Sequence, residues 1–200
     1  MTASGAAADS HRSGQHRQSI IAAAADLTTR SGWAQVTMAR LADEVGVSRQ
    51  TVYNDVGSKK ALAEAMVHDE FTRFLTVVEH AFDAHPDDLV QSIRAAARDV
   101  LELAHGNALL RAVVSATHGA DTELLPLLTT QAQPLLSAAK TVTVERLVPF
   151  ELSFTERELG AAVDLFVRAV LSHVMQPTGT PHETADDIAW VVSRTLHREA

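Results

Sequence analysis

Residues 37–62 read TMARLADEVGVSRQTVYNDVGSKKAL, a pattern of two short helices about a glycine turn followed by a freshly capped third. Thr37 suits an N-cap, because its hydroxyl accepts from the orphan amides of a first helical turn. Beyond it Met38, Leu41, Ala42 and Val45 recur at helical spacing and define one buried face. Gly46 closes that helix, since glycine enters the left-handed conformation past a helix end without steric cost. Val47 plugs the turn, and Ser48 caps a second helix bearing Arg49, Gln50, Thr51, Tyr53 and Asn54. Gly57-Ser58 then breaks and recaps the chain before Lys59. A short helix, a glycine turn and a polar second helix form the helix-turn-helix pattern. The second helix is rich in side chains that bond base edges and phosphates, which points to duplex DNA.

The net charge of −8 runs against DNA binding until it is divided along the chain. Residues 10–62 hold seven Lys/Arg against four Asp/Glu, whereas residues 63–200 hold ten against twenty. A basic head and an acidic body imply that only the head docks on a polyanion. The chain has no cysteine, which excludes disulfides and thiolate metal sites. No apolar run approaches the roughly 20 residues that cross a bilayer, so no membrane partner is expected. The opening MTASGAAADSHRSGQ lacks the apolar core of a secretion signal. Residues 1–14 are read as a flexible tail, and a cytoplasmic location is expected.

Helical periodicity continues throughout, and no strand pattern competes with it. A first helix of about 16–30 carries Ile20, Ala23, Ala24 and Leu27 inward, and Trp33 is then free to pack over the three-helix unit. A long helix starts at Lys59 with the stripe His68, Phe71, Leu75, Val78 and Phe82. Helices of about 87–105 and 108–117 follow, and Asp121 is placed to cap a segment of about 122–148. Within it Pro134 should kink or split the helix. Thr155 and Glu158 form a capping box that opens a helix to Met175. That helix is apolar nearly all round, so Val163, Val167, Val170, Leu171 and Val174 are expected to face both a core and a second subunit, together with Trp190 from a last helix after Pro181. The expected fold is all-α with about nine helices.

The N-terminal segment closely resembles the TetR family of bacterial transcriptional regulators. The likeness runs from IIAAAADLTTRSGW through Thr37, Leu41-Ala42 and Gly46-Val47-Ser48 to Thr51-Val52-Tyr53 and Ser58-Lys59-Lys60-Ala61-Leu62. It implies a helix-turn-helix domain over 15–62 and a ligand-binding and dimerisation domain over 63–200. It further implies a homodimer whose recognition helices enter successive major grooves of a palindromic operator. By position, Thr37, Arg40, Ser48, Arg49, Gln50, Thr51, Tyr53 and Asn54 are implied at the DNA surface, with Lys59 gripping a phosphate. Arg49 is the leading candidate for base readout, because a guanidinium bonding guanine through two donors discriminates by about 1–3 kcal/mol. Asp55 departs from the family, which more often has histidine or tyrosine there. A carboxylate cannot donate to phosphate, so it is expected to accept from a cytosine amino group, to orient Arg49 or Lys59, or to lose the contact.

The resemblance also implies a small-molecule effector that shifts the long fourth helix and releases DNA. Candidate ligand contacts are Phe71, Leu75, Val78, Ile93, Ala97, Val114, Leu128 and Phe166. Each also reads as ordinary core, since such stripes are needed to fold. A lining of Leu, Val and Ala suits an aliphatic or acyl effector better than a planar cation. The histidines match no zinc spacing and no cofactor is expected. Neither a G-x-S-x-G elbow nor a phosphate-cradling glycine loop occurs, and no catalytic residue is assigned. The alternative to a ligand-responsive repressor is a constitutive DNA-binding dimer whose larger domain only dimerises.

Overall fold

In a computed structural model, which describes residues 3–115 and 123–196, the chain is all-α. Its elements are α1 (Ala3–Ser31), a 3-10 turn (Trp33–Gln35), α2 (Met38–Val45), α3 (Arg49–Val56), α4 (Lys59–Ala84), α5 (Leu89–Gly106), α6 (Ala108–Ser115), α7 (Leu124–Leu128), α8 (Gln133–Leu147), a second 3-10 turn (Val148–Phe150), α9 (Glu156–Met175) and α10 (Pro181–Leu196). Among the described residues no helix is long and apolar enough to cross a membrane. Two compact units form. One holds α1 to α3, the residues of α4 up to Glu70, α6 and α7; the other holds α4 from Phe71 onward, α5 and α8 to α10.

The first unit is built around Ile20, Leu27, Trp33, Leu41, Val52, Leu62 and Met66, with Val113 of α6 and Leu124 of α7 buried in the same core. Local chemistry sets its turns. Thr37 accepts from the Arg40 amide, and Gly46 sits at φ 74°, ψ 33°, closing α2 on the Ala42 carbonyl. Ser48 accepts from the Thr51 amide to start α3. Helix α1 begins at Ala3, inside the segment read as a flexible tail. Three consecutive alanines, Ala6 to Ala8, give that stretch strong helix propensity, which the absence of an apolar stripe concealed. His68, placed on the inner stripe of α4 by spacing, is exposed. Leu62, Ala63 and Met66 set the buried face there, and two further residues turn about 200° around the helix.

In the second unit, Phe82, Ile93, Ala96, Leu147, Val163 and Val167 form one cluster, and Ala97, Val100, Val170 and Ala185 another. Buried alanines on α5 and α10 (Ala97, Ala185 and Ala189) let helices approach closely where larger side chains would hold them apart. The capping box at Thr155 forms in both directions with Glu158. A second box, absent from the sequence reading, starts α10: Thr180 takes the Glu183 amide, and the Glu183 carboxylate takes the Thr180 amide at 3.1 Å. Pro181 is therefore the first residue of α10, where its missing N–H costs nothing. The segment after residue 122 is split between α7 and α8, with Pro134 in the first turn of α8 as its missing donor demands. Asp121, read as a cap, lies outside the described residues.

Leu41 is fully buried at the α2 face, whereas a Cβ added at Gly46 would meet no atom within 4 Å. Leu41→Ala should therefore cost about 2–5 kcal/mol through a cavity. Gly46→Ala should cost only about 1–2 kcal/mol, all of it backbone strain. Urea denaturation of both variants measures the contrast.

Candidate nucleic-acid interface

Recognition by a helix requires one face to be locked and the opposite face to be free. Val52 and Val56 lock α3, at 0% and 5% exposure, into the core of the first unit. Four residues apart on one face, they fix the helix rotation and so decide what points outward. Arg49, Gln50, Tyr53 and Asn54 are exposed, as are Thr37 and Arg40 of the α2 turn and the cap Ser48. Thr51 and Lys59 are half-buried. The helix thus carries an uninterrupted polar face.

These side chains pair with one another. Gln50 donates to Asn54 Oδ1 at 2.9 Å, and the Arg49 guanidinium lies 5.6 Å from the Tyr53 ring centroid. The hydroxyls of Ser48 and Thr51 are 2.8 Å apart. Such neighbours at i,i+3 and i,i+4 restrain long side chains before any ligand arrives. Arg40 is held differently, donating to the Gln35 carbonyl at 3.0 Å across the turn that precedes α2.

Lys59, the first residue of α4, is anchored to the 3-10 turn. Its ammonium donates to the Trp33 carbonyl at 3.1 Å and sits 4.8 Å from the centroid of the Trp33 ring. Trp33, read from sequence only as core, is buried at 2% exposure and has this second role as a platform. Its indole N–H donates to Glu123 Oε2 at 2.8 Å. Neither contact was visible in sequence, because Lys59 lies 26 positions and Glu123 90 positions from Trp33.

Asp55 is turned away from the polar face. Its side chain is 8% exposed and lies 3.9 Å from His16 Nδ1 of α1. At position 55 the helix has rotated back toward its valine face, so this carboxylate neighbours α1 instead of reaching toward a groove. The roles considered for it at base edges are therefore not those its placement offers.

The residues assigned to ligand and dimer contacts divide between the two units. Phe71, Leu75, Val78, Ile93, Ala97 and Phe166 belong to the second unit, while Val114 on α6 and Leu128 on α7 belong to the first. Val78 and Phe166 pack half-buried against both apolar clusters of the second unit. Val163, Val167 and Val170 are buried within their own chain, and Leu171 and Val174 are half-buried. Among the described residues the second unit exposes Val148, Leu165, Trp190 and Val191, at 71%, 71%, 61% and 52%, so that of the residues assigned to the dimer contact Trp190 is the exposed one. Leu165 and Val191 escaped the sequence reading because each sits inside a helical apolar run whose buried side cannot be told from its free side.

A capped helix-turn-helix in front of an acidic all-α body defines a class of bacterial regulator. Residues 20–66 match the family model described as bacterial regulatory proteins, tetR family, and residues 88–194 match the bacterial tetracyclin repressor C-terminal domain. The second match alone spans more than half of the chain, and the protein belongs to the TetR family of transcriptional regulators. It is similar to the HTH-type transcriptional regulator AlkX of Mycobacterium tuberculosis (strain ATCC 25618 / H37Rv), with 25% identity over 91% of this chain and 85% of that protein. It is also similar to the crystal structure of the TetR family repressor AlkX from Dietzia sp. strain DQ12-45-1b, implicated in biodegradation of n-alkanes. That likeness has a TM-score of 0.72 and 25% identity, covering 91% of this chain and 95% of that one. The resorcinol complex of RolR shares the fold, with a TM-score of 0.61 at 15% identity over 96% of this chain and 92% of that one.

Proposed function

We propose that this regulator is a homodimeric repressor that binds a palindromic operator through α3 and is released by an aliphatic effector. The observation that carries the reading is the outward polar face of α3, held in place by Val52 and Val56. Arg49 and Gln50 read base edges in the major groove, with Thr51 and Asn54 beside them. Tyr53, Thr37, Arg40 and Ser48 bond the backbone on either side, and Lys59 takes a phosphate. Two copies are needed because one short helix covers a single half-site, and a two-fold dimer reads a two-fold sequence.

A second copy covers the exposed apolar side chains of the second unit. Leu165, Trp190 and Val191 leave large hydrophobic surface in water, and burying it drives association. The effector reading rests on the second unit's interior, where the half-buried Val78 and Phe166 pack against the apolar clusters that hold Ile93 and Ala97. It agrees with the n-alkane association of the Dietzia relative. An effector acts only by binding the DNA-incompetent state more tightly, so it must fit one arrangement of these helices better than the other.

Genome-wide selection of bound DNA should recover an inverted repeat, and fluorescence anisotropy on it should show specific binding. Arg49→Ala should lose about 1–3 kcal/mol of discrimination between operator and random duplex while keeping its melting temperature. A variant that retains full discrimination contradicts the base-reading role.

Leu165→Glu combined with Trp190→Glu should give a monomer by analytical ultracentrifugation and abolish operator binding. A dimer that survives both changes places the subunit contact elsewhere.

Medium-chain alkanes, fatty acids or acyl esters should raise the melting temperature and displace the operator. Stabilisation by planar aromatic compounds alone excludes the aliphatic effector, and release by no metabolite indicates a constitutive binder.

A further inference from the structure

The contacts of Trp33 join three positions that lie far apart in the chain. An ammonium has three donors. Lys59 spends one of them on the Trp33 carbonyl at 3.1 Å and rests its charge over the ring at 4.8 Å, which leaves two for an incoming phosphate oxygen. A lysine held in this way has already lost much of its rotamer freedom before DNA arrives. Its aim is only as good as the placement of Trp33.

The indole itself is held by a single polar contact. A buried Trp N–H needs an acceptor, and Glu123 supplies it at 2.8 Å. Glu123 occupies the N-cap position of α7 but makes no side-chain cap bond there, so its carboxylate serves the tryptophan instead of its own helix. The adjoining Leu124, 1% exposed, is buried in the core that also holds Trp33 and Leu62, which fixes the backbone from which Glu123 reaches. Glu123 lies in the segment matched by the C-terminal family model, whereas Trp33 and Lys59 lie in the N-terminal one.

We propose that Glu123 is a positioning residue for DNA binding: by accepting the Trp33 indole N–H it holds the ring and carbonyl that aim Lys59 at a phosphate. This rests on the reading of Lys59 as a phosphate contact. Glu123 never meets DNA. As an anion near the binding surface it is mildly unfavourable there, so its positioning role and its charge act in opposite directions and can be separated by substitution. Glu123→Gln keeps an acceptor and removes the charge; Glu123→Ala removes both.

The experiment measures anisotropy with the full-length protein on operator and on random duplex, over a series of salt concentrations. Glu123→Gln should bind as tightly as the parent or slightly more so. Glu123→Ala should bind both duplexes roughly three- to tenfold more weakly than Glu123→Gln, with the salt slope unchanged because Lys59 still delivers its charge. In a Lys59→Ala background the two Glu123 variants should bind alike, and the salt slope should be shallower by about one. Trp33→Phe, which keeps a smaller aromatic face and the carbonyl but lacks the N–H, should bind no more tightly than Glu123→Ala, and adding Glu123→Ala to it should cause no further loss. The Ala-to-Gln comparison at position 123 stands without the buried Trp33 variant, should that one fold poorly. Equal affinity of Glu123→Ala and Glu123→Gln overturns the proposal. So does a gap between them that persists without Lys59, since a merely structural role would not depend on that ammonium. Lys59→Ala with unchanged affinity and salt slope removes the phosphate reading, and this proposal with it.

Discussion

The rotation of α3 about its own axis is the constraint on which the head depends. Eight residues make only about two turns, too few to stay helical in water without support. Val52 and Val56 supply that support by packing into the core of the first unit, and Ser48 at the N-terminus satisfies an amide that packing cannot reach. Once those two valines are buried, the azimuth of every other residue on α3 is set. Arg49, Gln50, Tyr53 and Asn54 point outward, and Asp55 swings toward α1. A helix that presents base-reading groups need not be long. It must be unable to turn.

The same logic gives the tryptophan after α1 more weight than a core residue usually carries. Its large ring fills the centre of the first unit, its N–H demands an acceptor and its carbonyl ends a 3-10 turn with capacity to spare. The protein meets each demand with a different element: Glu123 beside α7 for the N–H, Lys59 of α4 for the carbonyl and ring face. That α6 and α7 pack with the helix-turn-helix follows from Val113 and Leu124 lying in its core. The compact unit is therefore larger than the DNA-reading motif.

In the second unit, valines and alanines pack together with phenylalanines such as Phe82 and Phe166. Buried alanines at Ala97, Ala185 and Ala189 allow close helix approach, and Val163, Val167 and Val170 fill the space beside them. The polar side chains buried among the described residues of this unit are Ser92, Thr143 and Thr184. Among the described residues of this unit, the large apolar side chains that remain in water are Val148, Leu165, Trp190 and Val191.

Local patterns in the amino-acid sequence were enough for the helix-turn-helix, its caps at Thr37 and Ser48, the capping box at Thr155 that opens α9, the left-handed Gly46, the break before Pro134 and the all-α class. Each of these depends on neighbours within about four residues, the range over which helical hydrogen bonds and caps operate. Other features needed the tertiary structure. A 3.6-residue period shows that a helix has a buried side but not which neighbour buries it, so α9 alone could not tell core valines from exposed Leu165. The inward turn of Asp55 depends on α1 lying beside it. The bond between Trp33 and Glu123 spans 90 positions, and no local pattern encodes a partner whose proximity exists only after the core has closed.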